Sequence, residues 1–263
     1  MSFFEVSHLS AGYGAARILC DVSFSVERGS LTGILGANGS GKTTLLKAVC
    51  GVLPSQGTCT LNGTALSALS PRALSRLVSY IPQRSGISID ISALDVVLMS
   101  FNPRLGLLEQ PSSSMRQAAL HALEQVGLAG REHTNYLHLS EGQKQLCILA
   151  RTLVAGTSLL LLDEPESALD FRFRSGMLSL LRRIVRENQS AAIIALHDPS
   201  LALNFCDQLL LLTGEGVCAI KPQQDAIASM ERALSSIYGA VSLQTVQTRG
   251  GKKQLIMLKE EEE

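Results

Sequence analysis

A chain of 263 residues with 46% hydrophobic and 17% charged side chains has a globular composition with ample material for a core, and is not a disordered chain. Its 23 basic residues balance 23 acidic ones for a net charge of +0, which excludes a protein that coats nucleic acid or an anionic membrane by bulk charge. The longest uncharged stretch, Ala48 to Pro71, carries two prolines and three glycines and is no membrane span.

The N-terminal run MSFFEVSHLS lacks the basic-then-apolar order of a secretory signal. Residues 3–35 are predicted to form short strands, with Val22, Phe24 and Val26 alternating with polar residues. Strand Leu31–Leu35 runs into the glycine-rich Gly36–Gly41 and then a helix through Leu45, Leu46 and Val49. Asn62-Gly63 between apolar residues of Thr58–Leu66 signals a hairpin, because both central positions of that turn need positive φ. From about residue 85 to 144 short helical segments are expected, broken by the Pro/Ser-rich Gln110–Ser114. Buried strands follow at Leu159–Leu162, Ala191–Leu196 and Leu209–Leu212, separated by amphipathic helices. One such helix has Met177, Leu181, Ile184 and Val185 on one side. Its Arg172, Arg174, Arg182, Arg183 and Arg186 are expected to form a solvated face. The six cysteines are scattered, with no C-x-x-C pair. They are expected to be reduced and mostly core-packed, Cys50 and Cys147 in helical patterns, as in a cytosolic protein.

Short apolar strands alternating with helices imply an α/β fold with a mostly parallel sheet covered on both faces. An N-terminal antiparallel β part and a helical insert are additions to that core. Gly36-Ala37-Asn38-Gly39-Ser40-Gly41-Lys42-Thr43 matches the phosphate-loop pattern G-x-x-x-x-G-K-S/T between a strand and a helix. Its glycines let successive backbone N–H groups face phosphate oxygens, and the helix N-terminus adds partial positive charge. Lys42 would reach the β- and γ-phosphates of a bound nucleotide, and the Thr43 hydroxyl would ligate Mg²⁺. Leu159–Leu162 ends in Asp163-Glu164. Asp163 suits the metal shell, and Glu164 is placed to polarise an attacking water. A Ser–His–Asp hydrolase is excluded, since no G-x-S-x-G elbow is present.

Leu139-Ser140-Glu141-Gly142-Gln143 resembles the L-S-G-G-Q signature of the ATP-binding-cassette (ABC) family. Around it the chain resembles that family from about residue 3 to 240. The resemblance implies a phosphate-loop NTPase core over 1–84 and 145–225, a helical subdomain over 85–144 and an extension with an acidic end over 241–263. It implies that Tyr13 stacks on adenine and that Gly36 to Thr44, with Thr44 included, bind the nucleotide. Gln83, in Tyr80-Ile81-Pro82-Gln83, would link magnesium and water to the transport partner, joining Thr43 and Asp163 around the metal. Ser167-Ala168-Leu169-Asp170 would cross between subunits, and His197 would contact the γ-phosphate. The signature acts in trans, so two copies are expected to form a homodimer with two composite sites.

Leu69–Leu77, Val96–Pro103, Asn204–Asp207 and Tyr238-Gly239 resemble the importer group for ferric siderophores, haem and cobalamin. That likeness implies an ATP-hydrolysing subunit on the cytoplasmic face of the inner membrane, peripheral through separate permease subunits. An extracytoplasmic binding protein would act indirectly, and no nucleic acid is expected as partner. A groove near Arg84 and Phe101 is expected to receive a short permease helix. An importer of another substrate such as a metal oxyanion stays open, as does a cytosolic ABC ATPase without a transport role. The 96 positions between Lys42 and Leu139 leave no room for the coiled coil of the DNA-repair branch. Three residues depart from the family pattern: Glu141 for the first signature glycine, Glu166 for a usual Thr, and Pro199 for a common Leu.

Overall fold

The computed structural model describes residues 2–83, 86–106, 108–213 and 216–260. Arg84 and the acidic run 261–263 lie outside them, as does the side chain of Arg172.

The chain opens with β1 (Phe4–Tyr13), β2 (Ala16–Val26), β3 (Leu31–Gly36) and helix α1 (Lys42–Val49). Then come β4 (Ser55–Leu61), β5 (Thr64–Ala65), α2 (Pro71–Leu77) and β6 (Val78–Ile81). The helices α3 (Ala93–Leu98), α4 (Ser113–Gln125) and α5 (Glu141–Ala155) lead to β7 (Leu159–Asp163) and α6 (Phe171–Glu187). The chain continues with β8 (Ala191–Ala195), α7 (Pro199–Phe205), β9 (Gln208–Thr213) and β10 (Gly216–Ile220). It ends with α8 (Ile227–Tyr238), β11 (Val241–Gln247) and β12 (Lys253–Lys259).

The central sheet has the order β10-β9-β3-β8-β7-β6. It is parallel from β9 to β6, with β10 antiparallel at one edge. Alternation along its strands divides the core. Leu31, Leu35, Leu160, Leu162, Ala192 and Ile194 face one cluster with α5, α6 and α7, while Ile34, Leu159, Leu161 and Ile193 face another with α1. Both faces are therefore covered, as uniformly apolar parallel strands require.

The antiparallel sheet has the order β2-β1-β4-β5. Its first two strands are ten and eleven residues long, not short. Register shifts interrupt their pairing, and His8 (φ 53) and Asp21 (φ 54) adopt left-handed backbone, so the alternation that marks one strand is broken in the sequence. The predicted hairpin joins β4 to β5, with positive φ at Asn62 and Gly63. The Pro/Ser-rich break ends in Ser112, which caps α4 by accepting the Met115 N–H at 3.2 Å.

Helix α5 runs unbroken across residues 144 and 145, so the division expected there falls inside one helix. The C-terminal extension is a β-ribbon of β11 and β12 that packs on α7. Asn204 both donates to the Leu255 carbonyl (2.7 Å) and accepts its N–H (3.0 Å).

Of the six cysteines, Cys147 and Cys206 are buried, Cys50 and Cys59 are half-buried against the core, and Cys20 and Cys218 are exposed. Two further expectations need correction. The arginines of α6 are not a plain solvated face, because Arg182 and Arg186 each donate to Asp207 Oδ1 at 3.0 Å. Arg174 Nε donates to the Leu169 carbonyl at 2.8 Å. Phe101 is 5% exposed within the core, because its ring packs among the helices of the insert, and so it does not line an open groove. Among the described residues no helix is long and apolar enough to cross a membrane.

Candidate functional site

The glycine-rich turn bends between β3 and α1 with Gly39 (φ 80) and Gly41 (φ 100) in backbone that side chains disfavour. A Cβ on Gly36 would stand 2.4 Å from Ser40 Oγ and 3.1 Å from the Leu212 carbonyl oxygen, so the tight turn needs glycine there. Lys42 is buried, and its Nζ donates to the carbonyls of Gly36 (3.0 Å) and Ala37 (3.3 Å), which suspends the ammonium over the loop. A cavity of about 190 Å³ lies here, lined by Tyr13, Ile18, Asn38 through Thr44, and Glu164. Tyr13 is half exposed at its mouth. None of Leu139 to Gln143 lines it.

The neighbouring strands β6, β7 and β8 all end beside this loop, since parallel pairing sets Ile81 against Leu162 and Asp163 against Ala195. Asp163 Oδ1 accepts the Thr43 hydroxyl at 3.0 Å, and its Oδ2 accepts the Tyr80 hydroxyl at 3.2 Å. Burial raises the Asp163 carboxyl above its ordinary value, while the Thr43 and Tyr80 hydrogen bonds oppose that rise. Burial likewise raises the Tyr80 phenol, with the Asp163 charge adding to it, so Tyr80 is a donor. Tyr80 was legible only as a neighbour of Gln83; its alternation within a four-residue strand gives no sign that its hydroxyl meets the strand end of β7.

Glu164 follows at φ 51, left-handed backbone that a non-glycine residue adopts at a cost of about 1–3 kcal/mol when the surroundings hold it there. They do hold it. Gln83 Nε2 donates to Glu164 Oε2 at 2.7 Å, and His197 Nε2 lies 2.7 Å from the same oxygen, to which it donates when protonated there. Gln83 and His197, predicted separately near two other strand ends, thus converge on one carboxylate oxygen of Glu164.

Oxygen donors suit a hard cation such as Mg²⁺, and the fit is specific in kind. Among the described residues no group of three or more His, Cys, Asp or Glu side chains could hold a metal. One carboxylate, Asp163, stands with one hydroxyl, Thr43, against a phosphate-binding loop. This is the donor set of an ion that borrows its remaining ligands from substrate phosphates and water.

The signature segment lies elsewhere, at the start of α5. Ser140 caps the helix by accepting the Gln143 N–H at 3.3 Å, and Gln143 Oε1 accepts the Ser140 N–H at 3.0 Å, a complete capping box. Glu141 sits in the first turn, and its exposed carboxylate accepts from Lys144 Nζ at 2.7 Å. Leu139 is buried. A Cβ on Gly142 would stand 3.1 Å from the Ala168 carbonyl, so the signature packs closely on the Ser167–Asp170 loop of its own chain. In that loop Ser167 and Ala168 are exposed, Leu169 is buried, and Asp170 caps α6 by accepting the Phe173 N–H at 3.1 Å. Pro199 occupies the first position of α7 behind the Asp198 cap, where its fixed φ suits a helix start.

Residues 19–167 match the ABC transporter family. The chain is 35% identical over 232 residues to a hemin import ATP-binding protein, HmuV, of Bordetella pertussis, covering 85% of this chain and 87% of that one. It is 34% identical over 241 residues to an iron chelatin transport ATP-binding protein of Helicobacter pylori, covering 89% and 92%. It is also 34% identical to an ABC transporter ATP-binding protein, YvrA, of Bacillus subtilis. That match covers 88% of this chain, which spans about half (52%) of that relative's length. A solved metal-chelate type ABC transporter in an inward-facing conformation shares the fold, with a TM-score of 0.82 at 24% identity over 98% of both chains.

Proposed function

The chain belongs to the ABC transporter family, and from that premise we propose that it is the ATP-hydrolysing subunit of a membrane importer for iron- or haem-type metal chelates. The observation that carries the hydrolytic part is the meeting of Gln83, Glu164 and His197 on Glu164 Oε2 beside the phosphate loop. The substrate class is supported by the relatives that import hemin and iron chelatin.

In this reading Tyr13 stacks on the adenine at the cavity mouth. The backbone N–H groups of Gly36 to Thr44 and the Lys42 ammonium bind the triphosphate, which draws Lys42 from its carbonyl partners by a stronger charge-assisted contact. Thr43, Asp163 and Gln83 would hold Mg²⁺, which would supply positive charge to neutralise the phosphate oxygens. Glu164 accepts a proton from the attacking water, and His197 donates toward the γ-phosphate. Both first have to leave their mutual contact, so this geometry is a resting one that nucleotide reorganises.

Leu139 to Gln143 lie outside the chain's own cavity, which supports a composite site completed by Ser140 and Gly142 of a second copy. The pairing is a two-fold homodimer in which nucleotide forms part of the interface. Separate permease subunits carry the pathway, with an extracytoplasmic binding protein upstream, and hold this subunit at the cytoplasmic face of the membrane. An open groove of about 620 Å³, lined in part by Val52, Leu53, Leu69, Leu74 and Tyr80, supports docking of a short permease helix. Through Tyr80 it is one hydrogen bond from Asp163.

The test is Glu164→Gln in the full-length protein. Nucleotide binding should persist while turnover falls by roughly 10²–10⁴-fold, since the amide keeps the shape and loses the basicity. Turnover at the wild-type rate would sink the assignment. Lys42→Ala should weaken nucleotide binding itself.

A further inference from the structure

Glu166, two residues beyond Glu164, is 3% exposed and has no part in the mechanism above. Its Oε1 accepts the backbone N–H of His197 at 3.1 Å. Its Oε2 is buried with no hydrogen-bond partner. The two carboxyls of this turn therefore hold the same histidine from two sides: Glu164 meets the imidazole, and Glu166 holds the main chain. The His197 side chain is about half exposed at the end of β8, so its own packing fixes the ring weakly, and the backbone tie carries that task.

We propose that Glu166 is a positioning residue for ATP hydrolysis, fixing the His197 backbone so that the imidazole stays at the site when nucleotide draws it from Glu164 toward the γ-phosphate. The proposal rests on Glu164 and His197 being the hydrolytic pair. An isolated buried carboxylate with one bare oxygen is costly, and burial is the largest cause raising this carboxyl above its ordinary range. The group that serves as clamp is thus pushed toward its neutral form, which still accepts the His197 N–H. This also explains how an acid fits where the family commonly carries threonine: what the site uses is a buried acceptor.

Full-length wild type, Glu166→Gln, Glu166→Ala and Glu164→Gln are compared for turnover with Mg–ATP, KM for ATP and thermal melting. Glutamine keeps the acceptor and imitates the neutral acid, so Glu166→Gln should hold kcat within about two-fold. Alanine removes the acceptor and should lower kcat about ten-fold or more with KM little changed, because the phosphate loop is untouched. If the alanine variant does not fold, Glu166→Asp, one methylene shorter, is read for the same split. Wild-type kcat in the shortened variants, or a glutamine variant as impaired as alanine, overturns the proposal. Normal turnover in Glu164→Gln would instead defeat the hydrolytic pair, and this inference with it.

Discussion

The carboxylate of Glu141 is 78% exposed and paired with Lys144 in the first turn of α5, where negative charge meets the positive end of the helix. Replacing it by glycine removes that charge and adds the helix cost of glycine, together about 1–2 kcal/mol. Glu141→Gly should therefore melt slightly lower than wild type. ATP-driven dimerisation in a Glu164→Gln background should match at low and high salt, because the side chain is already satisfied within its own turn; tighter dimerisation that fades with salt would indicate repulsion across the interface instead. Glu166 behaves differently with pH. Its folded-state pKa lies above the ordinary value of 4.5, burial outweighing the backbone hydrogen bonds and the neighbouring His197 that pull it down, with Glu164 adding to the rise. The folded chain then holds the proton more tightly than the unfolded one, so stability falls as pH climbs above about 4.5 and stays lowered once the folded carboxyl has ionised. Glu166→Gln should melt higher than wild type at pH 8, with the gap closing toward pH 4.5; an equal gap at both would refute the titration. The two departures look alike in sequence, each a carboxylate within a motif. One is a helix-terminal surface charge and the other a buried clamp, and only burial tells them apart.

At the level of elements, the phosphate loop was legible because its local chemistry is self-contained: glycines, a lysine and a threonine between a strand and a helix. The β-ribbon at the C-terminal end was not, because the side chains that hold it are distant in sequence. Asn204 forms a paired hydrogen bond to Leu255 across 51 residues, and Ser200 accepts the Met257 N–H at 3.2 Å. Asn204→Ala should leave those strand groups without partners, costing about 1–3 kcal/mol locally. Amide exchange at Leu255 and Met257 should quicken about ten-fold or more while the core strands stay protected. Unchanged exchange there would mean that packing of Leu255 and Met257 alone fixes the ribbon. The long strands β1 and β2 were hidden for a related reason, since a bulge is set by the partner strand and leaves only a broken alternation behind.

Across the whole molecule, Asp207 joins parts that lie far apart in sequence. Its Oδ2 accepts the Leu31 N–H at the start of β3, and its Oδ1 holds Arg182 and Arg186 of α6. A residue that resembled a subgroup marker is thus a structural tie. Asp207→Ala should cost about 2 kcal/mol, since one partly buried carboxylate leaves two guanidinium groups and an amide unpaired. In a chain of this size the melting temperature should drop by about 4–8 °C. A smaller loss would mean that solvent replaces the carboxylate well. The same tie measures the span of the sheet, for Leu31 and Asp207 are 176 residues apart. Strand β3, which feeds the phosphate loop, pairs only with β8 and β9. On a ribosome adding about 5–20 residues each second, it waits roughly 9–35 s after its own synthesis before both neighbours exist. Until β8 is made, the mostly apolar run Leu31–Gly36 has no strand on either side, and unpaired edges of this kind seed aggregation. This exposure predicts that a holding chaperone binds the nascent chain until β9 leaves the ribosome.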